Sequence, residues 1–456
     1  MKNLILTLAF TIICLNQIHC QDWQWAKSAG SGCPDHVNQI KIDNSGNTYI
    51  LGDFGHYFFP GCTRYMVFDA DTIYSYGTNP VNQLYLAKYA SDGSLKWVRG
   101  IGGDNPNQGN CNNCEEAYHL CIDNFSNSIF VSGSLYGPAQ FDTTYLYGMG
   151  TNFITRIDAN GNFLWAKLYG QLTNQTEIRI FSNNQGEIYY SGFAAQPMLI
   201  DTITVPSGYF YAKLNLEGKV IWGRKVATNV GTWDIFEVNN SIYSLMKATQ
   251  DTCLIDTIEY NHINSYSIFF ACFDSLANIK WFKPIRSTNL ALARMSMDGI
   301  GNAFIAGYFS DSLFLENDSL ITTNSQDLFI LKMNPNGNVV WSIKGNATNR
   351  AYIDDIVTDS NGVSYISSLV TGTITIPNYV ITSSIPFEAM IMRIDNNGNC
   401  IGVSQLGIDK VAKITQDNVG NFVIAGTFWN PFTIGSNTLN SRGGYDIFIA
   451  KHDLLN

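Results

Sequence analysis

Apolar and polar residues alternate through most of this chain in short runs, and clusters of Asp, Asn, Gly and Ser separate the runs. A period of two puts one face of a segment into a core and the other against solvent or a neighbouring layer, so each run predicts a strand. The stretch from Met295 to Gly345, MSMDGIGNAFIAGYFSDSLFLENDSLITTNSQDLFILKMNPNGNVVWSIKG, shows the order most fully. A first strand ends at Asp298 in the turn DGIGN. The strand AFIAGYF follows, then a short element, LFLENDSLIT, then the strand LFILKMN. The turn NPNGN leads into a last strand, VVWSIKG.

This order repeats. The first turn recurs as DNSGN at Asp43, DNFSN at Asp123, NNQGE at Asn183, DSNGV at Asp359 and DNVGN at Asp417, with a reduced form, VNNS, at Val238. The third strand recurs as LYLAKY, FITRID, FYAKLN, FFACFD, MIMRID and FIAKHD. The fourth recurs as LKWVRG, FLWAKLYG, VIWGRKV, IKWFKPI and CIGVSQLG, where Gly402 replaces the tryptophan. Successive tryptophans from Trp25 to Trp341 fall 57 to 72 residues apart. That period exceeds the roughly 40 to 50 residues of common propeller repeats. The short element between the second and third strands accounts for the excess.

The last repeat stops at FIAKHDLLN, before its tryptophan strand. The missing strand, WQWAKSAG, stands at the other end, after Gln21. Pairing it with the last repeat would close the sheets into a ring and remove an open edge. The expected fold is therefore all-β: a seven-bladed β-propeller of four-stranded blades, closed by the N-terminal strand. The blades run roughly 36–102, 116–170, 175–226, 233–286, 292–345, 352–407 and 411–456, the last completed by 22–30. The stretch from Asp417 to Asp453, DNVGNFVIAGTFWNPFTIGSNTLNSRGGYDIFIAKHD, resembles the repeat of the secreted bacterial β-propeller family known as SBBP, and the resemblance extends from Trp23 to Asp453. It implies a propeller scaffold and no particular activity.

Composition narrows the function. Of 456 residues, 45% are hydrophobic, 14% are charged and the formal net charge is −10, with no cluster of Lys and Arg. Nucleic acid and anionic membranes both demand such clusters. Residues 1–20 carry Lys2 and an apolar run from Leu4 to Cys14, the pattern of a secretory signal peptide and too short to span a bilayer. Cleavage is expected near Cys20 or Gln21. A lipidated Cys20 is the weaker alternative, because His19 precedes it. A secreted or bacterial cell-surface protein, without a transmembrane segment and monomeric, is expected.

An oxidising compartment makes disulfides the first reading of cysteines. Cys33, Cys62, Cys111 and Cys114 map to one face of neighbouring blades. Cys33–Cys62 is the preferred pair and Cys111–Cys114 the second, ahead of a zinc site. Cys253 and Cys272 are a further pair within blade four, whereas Cys121 and Cys400 fall in strands as buried thiols. The pentads DANGN at Asp158 and DNNGN at Asp395 approach a calcium loop but lack its further oxygens and distal glutamate. They read as hairpin turns; no cofactor is expected, with calcium the alternative. The six tryptophans from Trp25 to Trp341 read as packing residues between blades. The basic residue of strand three (Lys88, Arg156, Lys213, Lys332, Arg393, Lys451) pairs with a neighbouring blade or turn, Cys272 taking its place in blade four.

Tight Asp-x-x-Gly-Asn turns occupy one face of such a ring and long variable segments the other, where binding usually lives. On that variable face the sequence places Asp35 and His36, Glu115 and Glu116, Trp233 and Asp234, and Asp354 and Asp355, with Arg294 and Lys410 at comparable places. Paired carboxylates could serve glycoside hydrolysis, and Asp35, Glu116 and Asp354 are the catalytic candidates on that alternative. Exposed aromatics stack on sugars or peptides. His36, Trp233, Asp234, Arg294, Asp355 and Trp429 are thus the ligand-binding candidates. No nucleophilic triad, phosphate loop or paired-histidine spacing is present. The reading is a non-enzymatic scaffold that recognises a glycan or a surface protein; the alternative is a polysaccharide-active hydrolase or lyase.

Overall fold

The computed structural model describes residues 23–55, 63–76, 83–103, 116–148, 150–171, 178–183, 185–261, 266–316, 318–322, 326–409, 413–417 and 420–452. Among these residues the chain is all-β and contains no helix. Four consecutive strands form an antiparallel meander, as in His36–Ile42, Thr48–Phe54, Gln83–Tyr89 and Leu95–Ile101. The same order of pairing recurs along the chain, giving seven such units among the described residues. In one place a single strand, Ile279–Met297, serves as fourth strand of one unit and first strand of the next. The strand Trp23–Gly30 pairs antiparallel with Asp446–His452, with Ala26 opposite Ala450 and Ser28 opposite Phe448. The fourth and fifth units share one continuous sheet through Ile279–Met297, and none of the sheets closes on itself.

Apolar packing runs between units. Each of seven buried clusters among the described residues draws on two successive units. One joins Leu51, Leu84 and Trp97 of the first unit to Val131, Phe141 and Phe153 of the second. Another joins Trp25, Val423 and Ile449 of the last unit to Ile50, Tyr85 and Ala87 of the first. The first strands also lie side by side in succession, and that of the last unit lies against that of the first.

A second joint fastens the units through their tryptophans. Trp97 Nε1–H donates to the Ala159 carbonyl at 3.1 Å, and Lys88 Nζ donates to the same oxygen at 3.0 Å. Trp165 and Arg156 converge likewise on the Leu216 carbonyl, at 2.8 and 3.0 Å. Trp341 and Lys332 converge on that of Asn396, at 3.0 and 3.3 Å. In each case the acceptor lies in the tight turn between the third and fourth strands of the following unit. That turn presents a glycine to the indole. Gly161 has φ +85°, and a Cβ there would come within 2.8 Å of Trp97. Glycine meets both demands without strain; Gly93, Gly218, Gly337 and Gly398 hold the same place against Trp25, Trp165, Trp281 and Trp341, and Ala277, at φ +61°, holds it in the fourth unit.

The short element between the second and third strands is a hairpin that reaches back to the preceding unit. Thr252–Ile255 pairs with Ile258–Asn261, and its Ile255 lies opposite Ala227 of the preceding fourth strand. Thr373–Ile376 meets Val339–Ala347 in the same way, and Tyr65–Phe68 meets Trp23–Gly30. Much of the variable segment is thus spent on bracing. The hairpin also separates the cysteines expected to pair within the fourth unit. Cys253 packs in the cluster between the third and fourth units and Cys272 in that between the fourth and fifth. Both are free thiols, as are Cys121 and Cys400. Cys33 is fully buried, and Cys62, Cys111 and Cys114 lie outside the described residues.

Truncating Trp97 to Ala should destabilise the protein by about 3–5 kcal/mol, the range for a buried aromatic. Because Lys88 and Trp97 share one acceptor, the two single alanine variants should be non-additive by about 0.5–3 kcal/mol in a urea double-mutant cycle. Additive losses would show that the shared carbonyl does not couple them.

Candidate functional site

The first strands face one another, and one polar side chain from each occupies the same level. Six of these residues stand four positions ahead of the turn residues Asp43, Asp123, Asn183, Asp298, Asp359 and Asp417: Gln39, His119, Arg179, Arg294, Asp355 and Lys413. The fourth unit contributes Asp234, which pairs with Leu245 as Gln39 pairs with Leu51 and Asp355 with Ser367. A β-bulge precedes Gln39, His119, Asp234 and Asp355 in their strands. The extra residue turns two adjacent side chains inward rather than one. Asn38 beside Gln39, Trp233 beside Asp234 and Asp354 beside Asp355 hold these places.

The acceptors in this layer stitch neighbouring strands together. Gln39 accepts the Leu120 N–H. Asp234 accepts the Met295 N–H at 2.8 Å and meets Arg179 at 3.5 Å. Asp355 accepts the Ile414 N–H at 3.2 Å and the Ile356 N–H at 3.0 Å. His119 Nε2 lies 3.2 Å from the Gln39 amide nitrogen. Burial dominates the ionisation here. It raises the Asp234 pKa, against the opposing pull of Arg179 and Arg294. It lowers that of His119 well below the usual imidazole value, with Arg179 and Lys41 pushing the same way. It lowers that of Lys413, which Asp355 partly offsets.

On the tight-turn side of this layer lies a cavity of about 280 Å³, walled by Lys41, Cys121, Phe181, Phe236, Ser296 and Val357. On the variable side, Tyr308 and Tyr352 meet edge to face at 5.1 Å, and Lys247 lies over the Trp233 ring at 5.5 Å.

The candidates from the sequence are distributed as follows. Asp234, Arg294 and Asp355 come together in the polar layer. Trp233 and Asp354 stand just above it, half-buried. His36 is bound to Asp53 at 3.1 Å. Trp429 is 55% exposed and meets Tyr445 edge to face at 5.0 Å, apart from the layer. The side chain of Glu116 lies outside the described residues, and so does Lys410; Lys413 fills the place assigned to Lys410. Asp35 is fully buried rather than on a rim. It takes hydrogen bonds from the Ser31 N–H at 2.7 Å and the Ser31 hydroxyl at 2.8 Å. Burial lifts its pKa well above the carboxylate range, and repulsion from Asp446 and Asp53 adds to the rise. Gln39, His119, Arg179 and Lys413 were missed, although their fixed offset from the turn residue was visible.

The Asp-x-x-Gly-Asn turns are closed hydrogen-bonded loops. Asp158 Oδ1 accepts the Asn160 and Asn162 N–H groups at 2.8 and 2.9 Å, and Asn162 Nδ2 donates to Oδ2 at 2.8 Å. Asp395 repeats the arrangement.

No family model matches the chain, and no curated protein matches it. Solved structures do. The Dos1 propeller is 7% identical, with 96% of this chain and 97% of that one covered and a TM-score of 0.47. The WD40 β-propeller domain of Doa1 is 11% identical, covering 94% and 97%, TM-score 0.44. A polysaccharide lyase, the PL25 ulvanlyase bound to -[GlcA(1-4)Rha3S]-, is 10% identical, covering 92% and 97%, TM-score 0.46. These are β-propeller proteins; at such identities the likeness concerns the fold alone.

Asp35 and Asp446 generate a pH dependence. Burial pushes the Asp446 carboxyl up to about 6. Native pKa values above the unfolded ones favour the protonated acids, so this contribution is complete below the unfolded value near 3.8. It is lost as pH climbs through about 6. Asp446→Asn keeps an acceptor for the Arg442 N–H and abolishes the charge. The variant's melting temperature should match wild type at pH 4 and exceed it by on the order of a few degrees at pH 7. A difference independent of pH, read by differential scanning fluorimetry, would refute the assignment.

Proposed function

We propose that the seven units are the blades of a β-propeller of the SBBP type, closed by Trp23–Gly30, and that the protein is a non-enzymatic binding scaffold. A signal peptide over residues 1–20 delivers it to the outside or the surface of a bacterial cell. There the channel mouth on the variable face takes a glycan or a surface protein. Three features support the propeller reading: the recurring four-stranded pairing, the seven clusters each shared by two units, and the pairing of the first strand with the last.

One observation carries binding over catalysis. Three of the six carboxylates assigned to this face are already committed to the fold: Asp35 to Ser31, Asp234 to Arg179 and the Met295 N–H, and Asp355 to two backbone N–H groups. A general acid or nucleophile must instead face substrate with free oxygens. The aromatic groups Trp233, Tyr308 and Tyr352 are half-buried with part of each ring accessible. Such rings give a sugar or peptide an apolar face to stack on. The acidic turns, saturated by their own N–H groups, leave calcium without a role in binding.

The mature protein should be retained on part of a broad glycan and polysaccharide panel, equally with and without calcium, and release no reducing ends in the same wells. Trp233→Ala should weaken retention about two- to tenfold, the value of one aromatic contact of roughly 0.5–1.5 kcal/mol. Released sugar that disappears in Glu116→Gln or Asp354→Asn would replace this reading with the hydrolase or lyase. Retention on a surface protein alone would assign the mouth to a protein partner.

A further inference from the structure

The polar layer carries an unbalanced charge. Its cations are Arg179, Arg294 and Lys413, and its carboxylates are Asp234 and Asp355. Burial holds His119 neutral and Gln39 is uncharged, so the layer is one anion short. Adding the flanking Lys41 below and Asp354 above leaves the same excess. Buried charges are stable only when they are paired or hydrogen-bonded; elsewhere in this chain Lys88 and Lys332 donate to turn carbonyls and other cations meet carboxylates. Lys213 meets Glu187 at 2.6 Å, Arg224 meets Asp256 at 2.9 Å and Lys451 meets Asp417 at 3.0 Å.

The excess is localised. Arg179 has Asp234 at 3.5 Å. Arg294 and Lys413 have no hydrogen bond or ion pair from their side chains among the described residues, and they flank Asp355 from the units on either side. Lys413 lies deep in the channel wall, where burial already disfavours its charge and the guanidinium groups of Arg294 and Arg179 disfavour it further. Asp355 carries a single negative charge between two cations, so it offsets one of them at most. Next to Arg294, on the variable side, stand Tyr308 and Tyr352. Tyr308 lies opposite Leu292, two residues before Arg294, and its phenol senses both Arg294 and Asp354.

We propose that Arg294 and Lys413 bind a compact organic carboxylate, with the Tyr308–Tyr352 pair as the wall against which its ring or chain lies. This rests on the reading of the channel mouth as a binding site and names the chemistry it takes. A guanidinium presents two parallel N–H groups to a carboxylate, and an ammonium adds a point charge. A bound carboxylate would bring the layer to neutrality. A free hydroxy acid and a uronic acid residue of a glycan offer the same group, and only the second brings a pyranose ring to the tyrosines.

The test is titration calorimetry on the full mature protein, with sodium lactate, sodium galacturonate, an oligogalacturonate and neutral galactose as probes. Galacturonate and its oligomer should bind and galactose should not. Arg294→Met and Lys413→Met should each weaken binding at least tenfold. Tyr352→Ala should weaken the sugar acids while leaving lactate unchanged. Equal lactate and galacturonate affinities, both indifferent to Tyr352→Ala, would assign the site to free acids. Thermal melts separate site from scaffold. Lys413→Met removes an uncountered charge and should melt at or above the wild-type temperature, and galacturonate should raise the melting temperature of wild type only. Lys413→Met melting well below wild type, with Lys413→Gln the same, would make the lysine structural and overturn the proposal. So would galacturonate binding no better than galactose. Neutral glycans retained through Trp233 and indifferent to Arg294→Met would overturn the carboxylate and keep the mouth. No retention of any glycan or surface protein would overturn both.

Discussion

In three of the repeats one backbone carbonyl, in the tight turn between the third and fourth strands, receives both the indole N–H and the strand-three cation of the preceding unit. Everything else in the fold is compatible with that joint or depends on it. Apart from the shared strand Ile279–Met297, the four-stranded units are not hydrogen-bonded strand to strand, so backbone pairing between most successive units is confined to the short hairpins. The joint holds the units together at one end, the backward-reaching hairpin does so at the outer edge, and the shared apolar cluster fills the space between. The turn must be tight enough to offer its carbonyl outward and bare enough to admit an indole face. This is why a left-handed glycine recurs there while the flanking residues change.

The interior obeys a different constraint. Along the first strands the side chains share one level, and any charge placed there is partly withdrawn from water beside the charges of the adjoining strands. The layer from Gln39 to Lys413 answers with alternation. Carboxylates take backbone N–H groups from the following strand, and guanidinium and ammonium groups sit between them. An all-apolar layer would pack as well and be more stable, since buried ion pairs rarely surpass hydrophobic substitutes. A layer that keeps three cations and two carboxylates, with two of the cations unbonded, therefore calls for a reason outside stability, and a bound anion supplies one.

The fold was legible because its signals are local: alternation within a strand, an Asx turn, a tryptophan at a fixed offset. The site was legible only in part. Asp234, Arg294 and Asp355 could be named from their position near the variable face. Gln39 and His119 carry no charge to draw attention, and Arg179 and Lys413 open first strands of only four described residues. Lys410 and Lys413 stand close together ahead of Asp417, and only the four-residue offset from Asp417 shared with the other repeats singles out Lys413. The fourth unit hides that offset, since its turn at Asn239 and Asn240, both with positive φ, is a shortened one. The pairing of Trp23–Gly30 with the last unit could be read from the missing repeat strand, but the hairpin pairings could not. Nothing local says that Thr252–Ile255 hydrogen-bonds to the previous unit, and this is what defeats a Cys253–Cys272 bridge.

Asp35 shows how repetition and its interruption together shape a residue's chemistry. The first residue of strand three ties down the nearby loop in several units. Gln83 accepts the Tyr76 N–H, Asp327 that of Ala347 and Glu388 that of Gly407. Asp446 is the last of the series and takes the Arg442 N–H. At this unit alone the fourth strand comes from the other end of the chain, so the link from Gly30 to His36 must pass directly over Asp446. Gly30 leaves no space for a Cβ beside that carboxyl, and Asp35 is carried down against it. Two acids thereby meet where the repeat places one. Their raised pKa values follow from the seam between the chain ends, and a catalytic role is not required to explain them.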